Sequence, residues 1–272
     1  MRDNPPETLS SDQLLQFHTD GYLVIRQLFE QVEVAEIRNT FMDIHAGPPI
    51  PGFFEPLGEK EAGDDILKRY PRILQPHYFN ATALKFMLHP RLIPILADLF
   101  GEEPLASQSM FYYKPPGARG QALHQDNYYL KVEPGTCIAA WTAIDDCDMA
   151  NGGMMVVPQT GEIDLFCPEQ ADSRVSFTQA IVHVPKGMKA VSVEMKAGDT
   201  LFFNGNVIHG SGPNRTSDRF RRSFTCHYVG VSTEKLGSYF SKLYRADGSV
   251  IQQRINAETG PCGDEFAGFY GH

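Results

Sequence analysis

The feature that most restricts the fold is a long series of short β-type segments that begins at Pro104. Up to residue 230, most of the chain alternates runs of apolar and β-branched residues with turn-forming segments such as PPGARG, EPGT, ANGG and KAGD. Strands that follow one another at such short spacing pair antiparallel and leave no room for the helices of βαβ units. The series therefore predicts an antiparallel barrel or jelly roll.

The first hundred residues carry helical patterns. Ser10 followed by Gln13 is a capping box, which predicts a helix that ends near Gly21. Apolar residues at helical spacing predict two further helices, over 32–44 and 90–100. We expect these helices to pack against one outer face of the barrel, which gives a mainly β fold with flanking helices.

Two segments near the N-terminus interrupt the helical patterns. The apolar run Tyr22–Ile25 predicts a strand, and the Pro- and Gly-rich stretch over 47–63 predicts a mobile loop. We expect the irregular stretch over 162–189 to be mobile as well, because loops on a rigid scaffold commonly carry substrate recognition.

The chain is predicted to form one catalytic domain over 1–272. Its parts are a mostly helical segment over 1–103, a β core over 104–230 and a C-terminal extension over 231–272. A chain of 272 residues with 42% hydrophobic content can bury one substantial core, and β-rich folds often reach this length as a single unit.

Charge and composition restrict the partners. The net charge is −9 and no long basic run offsets it, so nucleic acid and anionic membranes are not expected partners. A small-molecule substrate is expected, and the oligomeric state stays open. With no signal-peptide pattern and no apolar run of about 18 residues, we expect a cytoplasmic protein.

The five cysteines are odd in number, scattered and without a CxxC pair. This pattern predicts neither a structural zinc site nor a disulfide framework, and it favours ordinary buried thiols for most of the five.

The first candidate for chemistry is the pair His124 and Asp126. The two residues lie two positions apart in a run that reads as extended, which places both side chains on one face of a strand. The same motif occurs at His18 and Asp20, but there it lies at the end of a predicted helix, where positions i and i+2 do not face each other. We therefore take His124 and Asp126 as the functional pair.

His209 is the third candidate. It follows a Gly-Asp turn in the second half of the β region, where a barrel strand can return beside the first. Two histidines and one carboxylate on neighbouring elements form the facial triad of non-haem iron(II) oxygenases, which leaves metal positions open. The alternative is that all three residues serve packing or hydrogen bonding.

An arginine cluster, Arg219, Arg221 and Arg222, lies about one strand after His209. A guanidinium can bind the far carboxylate of a keto dicarboxylate in bidentate fashion. Strand alternation selects one member, because Arg221 shares a face with polar side chains and Arg222 shares the opposite face with large apolar ones. The polar set is Arg221, Ser223, Thr225 and His227, and the apolar set is Arg222, Phe224, Cys226 and Tyr228.

Several segments resemble the phytanoyl-CoA dioxygenase family. They are DGYLVI, FYYKPPGARGQALHQD, AWTAIDDCDMANGGMMVVPQTG, AGDTLFF and HGSGPNRTSDRFRRSFTCHYV. The resemblance implies a double-stranded β-helix of the jelly-roll, cupin-like type and a metal held by His124, Asp126 and His209. It also implies 2-oxoglutarate binding by Arg221 and Ser211, with Met110, Trp141 and Gln125 lining the cosubstrate pocket.

The predicted activity is that of an iron(II)- and 2-oxoglutarate-dependent dioxygenase that uses O₂ and releases succinate and CO₂. Related halogenases lack the metal-binding carboxylate, and Asp126 is present here, so hydroxylation of an unactivated C–H bond of a small molecule is favoured, with desaturation or cyclisation left open. The alternatives are an inactive metal-binding or regulatory protein on the same barrel, and an oxygenase that acts on a protein side chain. The phytanoyl-CoA activity is not carried over, because the segment over 162–189 matches no family pattern.

Overall fold

A computed structural model describes residues 8–257 and Cys262. The helices lie mainly in the N-terminal third, as the sequence predicts. Their bounds are α1 Ser11–Asp20, α2 Gln31–Ala46, α3 Glu59–Ala62, α4 Ile66–Arg69, α5 Ala81–Met87, α6 Leu92–Phe100 and α7 Asn127–Leu130. Ser10 caps α1 with the predicted capping box, and Gly21 and Gly101 end α1 and α6 in the left-handed conformation.

Most of the strands belong to two antiparallel sheets. Their bounds are β1 Tyr22–Ile25, β2 Ile73–Leu74, β3 Pro104–Tyr112, β4 Gln121–His124, β5 Ile138–Ala143, β6 Met154–Val156, β7 Glu169–Gln170, β8 Ala180–Ile181, β9 Val191–Val193, β10 Thr200–Asn204, β11 His209–Ser211, β12 Ser223–Gly230, β13 Lys235–Leu236, β14 Lys242–Tyr244, β15 Val250–Gln252 and β16 Arg254–Ile255. The larger sheet runs β1-β10-β5-β12-β3-β14-β15, with β2 also on β3, and the smaller sheet runs β4-β11-β6-β9. The two sheets form the predicted jelly roll.

The helical layer covers the outer face of the larger sheet. Phe41 of α2 stacks on Phe111 of β3 with ring centroids 4.1 Å apart, and it also contacts Phe224 of β12. The Tyr228 hydroxyl donates to the Met87 carbonyl of α5 at 2.7 Å. Because the outer face is sealed by apolar packing, the polar residues of β12 face the space between the two sheets.

The C-terminal extension continues the larger sheet and then crosses one end of the barrel. β14 pairs with β3, and the Ser107 hydroxyl of β3 donates to the Phe240 carbonyl at 3.0 Å. Phe240 thereby comes to lie at the cavity between the sheets.

Cys167 and Cys262 form a disulfide that joins the irregular segment over 162–189 to the C-terminal extension. The expectation that the cysteines form no disulfides is therefore wrong for this pair. A pair separated by 95 residues leaves no local signal in the sequence. The prediction of ordinary buried thiols is confirmed for Cys137, Cys147 and Cys226.

Candidate metal centre

His124 and His209 lie directly opposite each other on the neighbouring strands β4 and β11. Their ring centroids are 4.2 Å apart. Asp126 reaches the same point, with its Oδ1 3.4 Å from His124 Nε2 and 3.6 Å from His209 Nε2. All three side chains are buried, and one donor atom of each lies within 4.8 Å of the others.

The sequence predicts that strand β4 continues through Asp126, and this prediction is wrong. β4 ends at His124, and Asp126 has helical backbone angles as the residue that precedes the short helix α7. The Leu130 amide bonds back to the Asp126 carbonyl at 3.0 Å, which closes this helical turn. The turn still brings the carboxylate to the two imidazoles, so the predicted grouping holds although the predicted strand does not.

Backbone carbonyls orient both imidazoles. The Nδ1–H of His124 donates to the Ala122 carbonyl at 2.8 Å, and the Nδ1–H of His209 donates to the Val207 carbonyl at 2.9 Å. A donated Nδ1 proton leaves Nε2 unprotonated on the side of Asp126, which is the tautomer that a metal requires. Burial lowers the pKa of His209 to about 4, so this ring is neutral at neutral pH.

A fourth buried side chain, His227, holds the Asp126 carboxylate. Its Nε2–H donates to Asp126 Oδ2 at 2.8 Å, which leaves Oδ1 to face the two imidazoles. Burial opposes ionisation of Asp126, but the histidines around it and the hydrogen bond from His227 hold its pKa well below the ordinary value. The carboxylate is therefore ionised, as a metal ligand must be.

This donor set fits a non-haem iron(II) ion. Two neutral imidazole nitrogens and one ionised carboxylate oxygen converge from one side, which is the two-histidine, one-carboxylate arrangement that keeps further positions open. Because the Nδ1 hydrogens and Asp126 Oδ2 are bonded elsewhere, each ligand presents one defined atom.

The larger sheet supplies the opposite wall of the cavity. Thr225 of β12 lies in register between Met110 of β3 and Trp141 of β5, so these three side chains form a row across the sheet. Met110, Trp141 and Thr225 all line the cavity that contains the donor cluster. The predicted phase of β12 is confirmed, since Arg221, Thr225 and His227 line this cavity and Phe224, Cys226 and Tyr228 pack outside it.

Arg221 lies at one end of the cavity and is 3% exposed. Its Nε–H donates to the Gly152 carbonyl at 3.1 Å, one Nη–H donates to the Ser223 hydroxyl at 3.0 Å, and the guanidinium lies 5.2 Å from the centre of the Trp141 ring. Burial lowers the pKa of Arg221 to about 10, which leaves it charged at neutral pH. Ser211 of β11 lines the same cavity.

Gln125 is the one predicted pocket residue that does not line this cavity. It lies between His124 and Asp126 and points the other way, where its amide donates to the carbonyls of Asp164 and Asn206 and accepts from the Phe166 amide. In this position Gln125 fastens the segment that begins at residue 162 to the back of the metal centre.

The positions of several residues at or near the cavity are not predicted from the sequence. Tyr129 and Leu130 come from α7, which the β-type composition of NYYL concealed, and Phe240 comes from the C-terminal extension. Lys114, in the loop that follows β3, is buried beside Arg221, and its place in a loop gives no indication of this burial.

Solved structures share this fold. EctD from S. alaskensis, solved with 2-oxoglutarate and 5-hydroxyectoine, matches with a TM-score of 0.67 at 20% identity, over 97% of this chain and 90% of that one. The epimerase SnoN from nogalamycin biosynthesis, solved with Fe³⁺, α-ketoglutarate and nogalamycin RO, matches with a TM-score of 0.67 at 20% identity, over 92% of this chain and 96% of that one.

Curated relatives cover most of the chain. The probable phytanoyl-CoA dioxygenase of Caenorhabditis elegans is 30% identical over 237 residues, which are 81% of this chain and 75% of that protein. A phytanoyl-CoA dioxygenase of Arabidopsis thaliana is 26% identical over 259 residues, which are 82% of this chain and 89% of that protein. The family model for phytanoyl-CoA dioxygenase (PhyH) matches residues 17–223. The chain belongs to the phytanoyl-CoA dioxygenase family of iron- and 2-oxoglutarate-dependent oxygenases.

Proposed function

We propose that this protein hydroxylates an unactivated C–H bond of a small molecule while 2-oxoglutarate is converted to succinate and CO₂. His124, Asp126 and His209 hold the iron, and Arg221 with Ser211 holds the far carboxylate of 2-oxoglutarate. The observation that carries the proposal is that one cavity is lined both by the donor cluster and by the Arg221 guanidinium.

Iron(II) in this site supplies the redox chemistry that couples O₂ and 2-oxoglutarate to oxidation of the substrate. The protein holds the metal-binding side chains in position. His227 holds Asp126 in one orientation, the Ala122 and Val207 carbonyls hold the two imidazoles, and the aromatic ring of Phe203 lies 4.2 Å from that of His209.

The spacing along β11 suits a five-carbon dicarboxylate. His209 and Ser211 are two residues apart on one strand, so their Cα atoms are about 6.5 Å apart. A cosubstrate bound at the metal by its keto acid end can therefore reach Ser211 and Arg221 with its other carboxylate. Met110, Trp141 and Thr225 form the wall beside it.

The residues on the remaining wall of the cavity favour a small-molecule substrate. Tyr129, Leu130, Phe240 and Gln108 line the cavity beyond the donor cluster, and Phe240 is held over it by the contact with Ser107. A concave, largely apolar and aromatic wall with one amide fits a small molecule better than the open groove that a protein side chain would need.

The reaction outcome is tested by product analysis. The protein is incubated with Fe(II), 2-oxoglutarate, isotopically labelled O₂ and a panel of small apolar and amphiphilic molecules. We expect succinate and a product carrying one labelled oxygen atom in equal amounts, both dependent on Fe(II). A product that has lost two hydrogens and gained no oxygen would reject hydroxylation, and failure of every substrate to raise succinate formation would reject the small-molecule proposal.

A further inference from the structure

Lys114 occupies an unusual place for a lysine. It follows strand β3, has a positive φ of +39°, and is only 3% exposed. A left-handed backbone is unfavourable for a residue with a side chain, so the surrounding structure must enforce it. A lysine in a loop between strands is ordinarily solvated, and here the backbone turn carries the ammonium inward.

Its contacts link it to both proposed 2-oxoglutarate residues. The Lys114 ammonium donates to the Ser211 hydroxyl at 2.7 Å, and the Lys114 carbonyl accepts the Arg221 amide at 3.0 Å. Gly152 leaves room for this arrangement, because a Cβ there would lie 2.9 Å from Lys114 Cε and 2.5 Å from the Gly212 carbonyl oxygen.

No salt bridge compensates the positive charge at this end of the cavity. Within residues 8–257, no carboxylate forms a salt bridge with Lys114 or Arg221, although the neighbouring Arg219 and Arg222 pair with Asp148 and Asp145. Burial and the nearby Arg221 lower the pKa of Lys114 well below its ordinary value. Two buried basic groups side by side are unfavourable unless an anion lies between or against them.

We propose that Lys114 completes the anion site formed by Arg221 and Ser211, and that it makes the cavity selective for a cosubstrate with a carboxylate at its far end. The inference rests on the proposed function. Lys114 is a positioning residue, because it acts through Ser211. With the Ser211 oxygen accepting from the ammonium, the hydroxyl hydrogen is directed elsewhere and can be donated to the cosubstrate. The ammonium adds positive charge behind that contact.

The test compares two ligands in two proteins. Calorimetry with Mn(II) in place of iron measures binding of 2-oxoglutarate and of 2-oxopentanoate, which lacks the far carboxylate, to the parent and to Lys114→Met. We expect Lys114→Met to weaken 2-oxoglutarate binding about 10- to 100-fold. Binding of 2-oxopentanoate should stay within about threefold, because that ligand presents no far charge.

The matched control is Arg119→Met. Arg119 follows in the same loop, but it is paired with Asp65 at 2.7 Å and bonds to the carbonyls of Ser173 and Ser176. Its replacement should leave the affinity for both ligands unchanged.

Thermal unfolding without ligand separates a binding role from a structural one. Met replaces a buried, uncompensated charge with an apolar chain of similar length, so Lys114→Met should be at least as stable as the parent. A variant that fails to fold or melts at a lower temperature would overturn the inference, as would equal losses for the two ligands or no loss at all. A parent that does not bind 2-oxoglutarate would instead overturn the proposed function.

Discussion

The two ends of the cavity have opposite electrostatic character. At the metal end a single carboxylate, Asp126, is surrounded by three histidines, one of which donates a hydrogen bond to it. At the far end Arg221 lines the cavity and the neighbouring Lys114 is bonded to Ser211, and no carboxylate among the described residues forms a salt bridge with either. One end presents electron-pair donors to a cation, and the other presents hydrogen-bond donors to an anion. A keto dicarboxylate that chelates a metal satisfies both ends at once.

The two ends also differ in how their residues are supported. The metal ligands are oriented by bonds to backbone carbonyls and to His227, so the donor cluster is largely satisfied within the protein. The two buried cations donate hydrogen bonds to neutral hydroxyl and carbonyl groups. We therefore expect replacements at the metal end to remove metal binding, and replacements at the far end to change cosubstrate affinity with little loss of stability.

The largest effect is expected from loss of a metal ligand. Replacement of His124, Asp126 or His209 by Ala should leave a folded protein without iron-dependent succinate formation, because each side chain supplies one ligand atom. Fe(II) binding, succinate release and circular dichroism measure the three properties. His18→Ala is the control for the second HxD motif. Loss of activity in that variant, with His124→Ala active, would mean that the wrong motif has been chosen.

Arg221→Met should raise the 2-oxoglutarate concentration needed for half-maximal turnover about 10- to 100-fold, because a charge-assisted contact with a buried carboxylate is lost. Arg222→Met is the matched control. Arg222 lies one residue further on, faces outward, and is bonded to Asp145 through two contacts of 2.8 Å. Equal effects of the two substitutions would contradict the assignment of Arg221 to the inner face.

His227→Phe should weaken Fe(II) binding about 10- to 100-fold while the protein stays folded, because Asp126 loses the hydrogen bond that orients it. Metal titration followed by calorimetry provides the measurement. His183→Ala, at an exposed histidine with a contact to Glu169, is the control. An unchanged metal affinity in His227→Phe would show that the carboxylate needs no support from this ring.

The smallest effects concern the loops around the cavity. Without ligand, the segments over 47–63 and 162–189 should exchange amide hydrogens faster than strands β3 and β12. Cys167→Ser should increase exchange in the second segment further, because it removes the link to Cys262. Mass spectrometry of peptic fragments resolves the segments, and protection in both equal to that of the two strands would reject mobile loops.

The sequence predicts those features that depend on local patterns. The alternation along β12 correctly separates Arg221 and His227 from Phe224 and Tyr228, because one face of that strand packs against helices. In the same way, the capping box predicts where α1 begins and Gly21 predicts where it ends. Local periodicity and caps are therefore sufficient for the class of fold and for the helices α1, α2 and α6.

The features that the sequence does not reveal depend on distant contacts. The Cys167–Cys262 disulfide, the burial of Lys114 and the placement of Phe240 at the cavity all need the complete fold. At Asp126, the β-type composition of the following residues favours a strand, but hydrogen bonds to the Asp126 and Asn127 carbonyls close a helical turn there. Gln125 was assigned by resemblance, and its position between two inward-facing ligands turns it outward.

None of the helices in the described ranges is both long and apolar enough to cross a bilayer. The cytoplasmic location stays a prediction. The Cys167–Cys262 disulfide is more typical of oxidising compartments.

The most direct test of the central claim is an anaerobic titration of the parent protein with Fe(II) and 2-oxoglutarate, followed by visible absorption. A weak charge-transfer band should appear when both are present and should be absent with either alone, with one 2-oxoglutarate bound per chain. It should be lost in His209→Ala, and in Arg221→Met it should need more 2-oxoglutarate to appear. A folded parent that binds Fe(II) but gives no such band at any 2-oxoglutarate concentration would contradict the account.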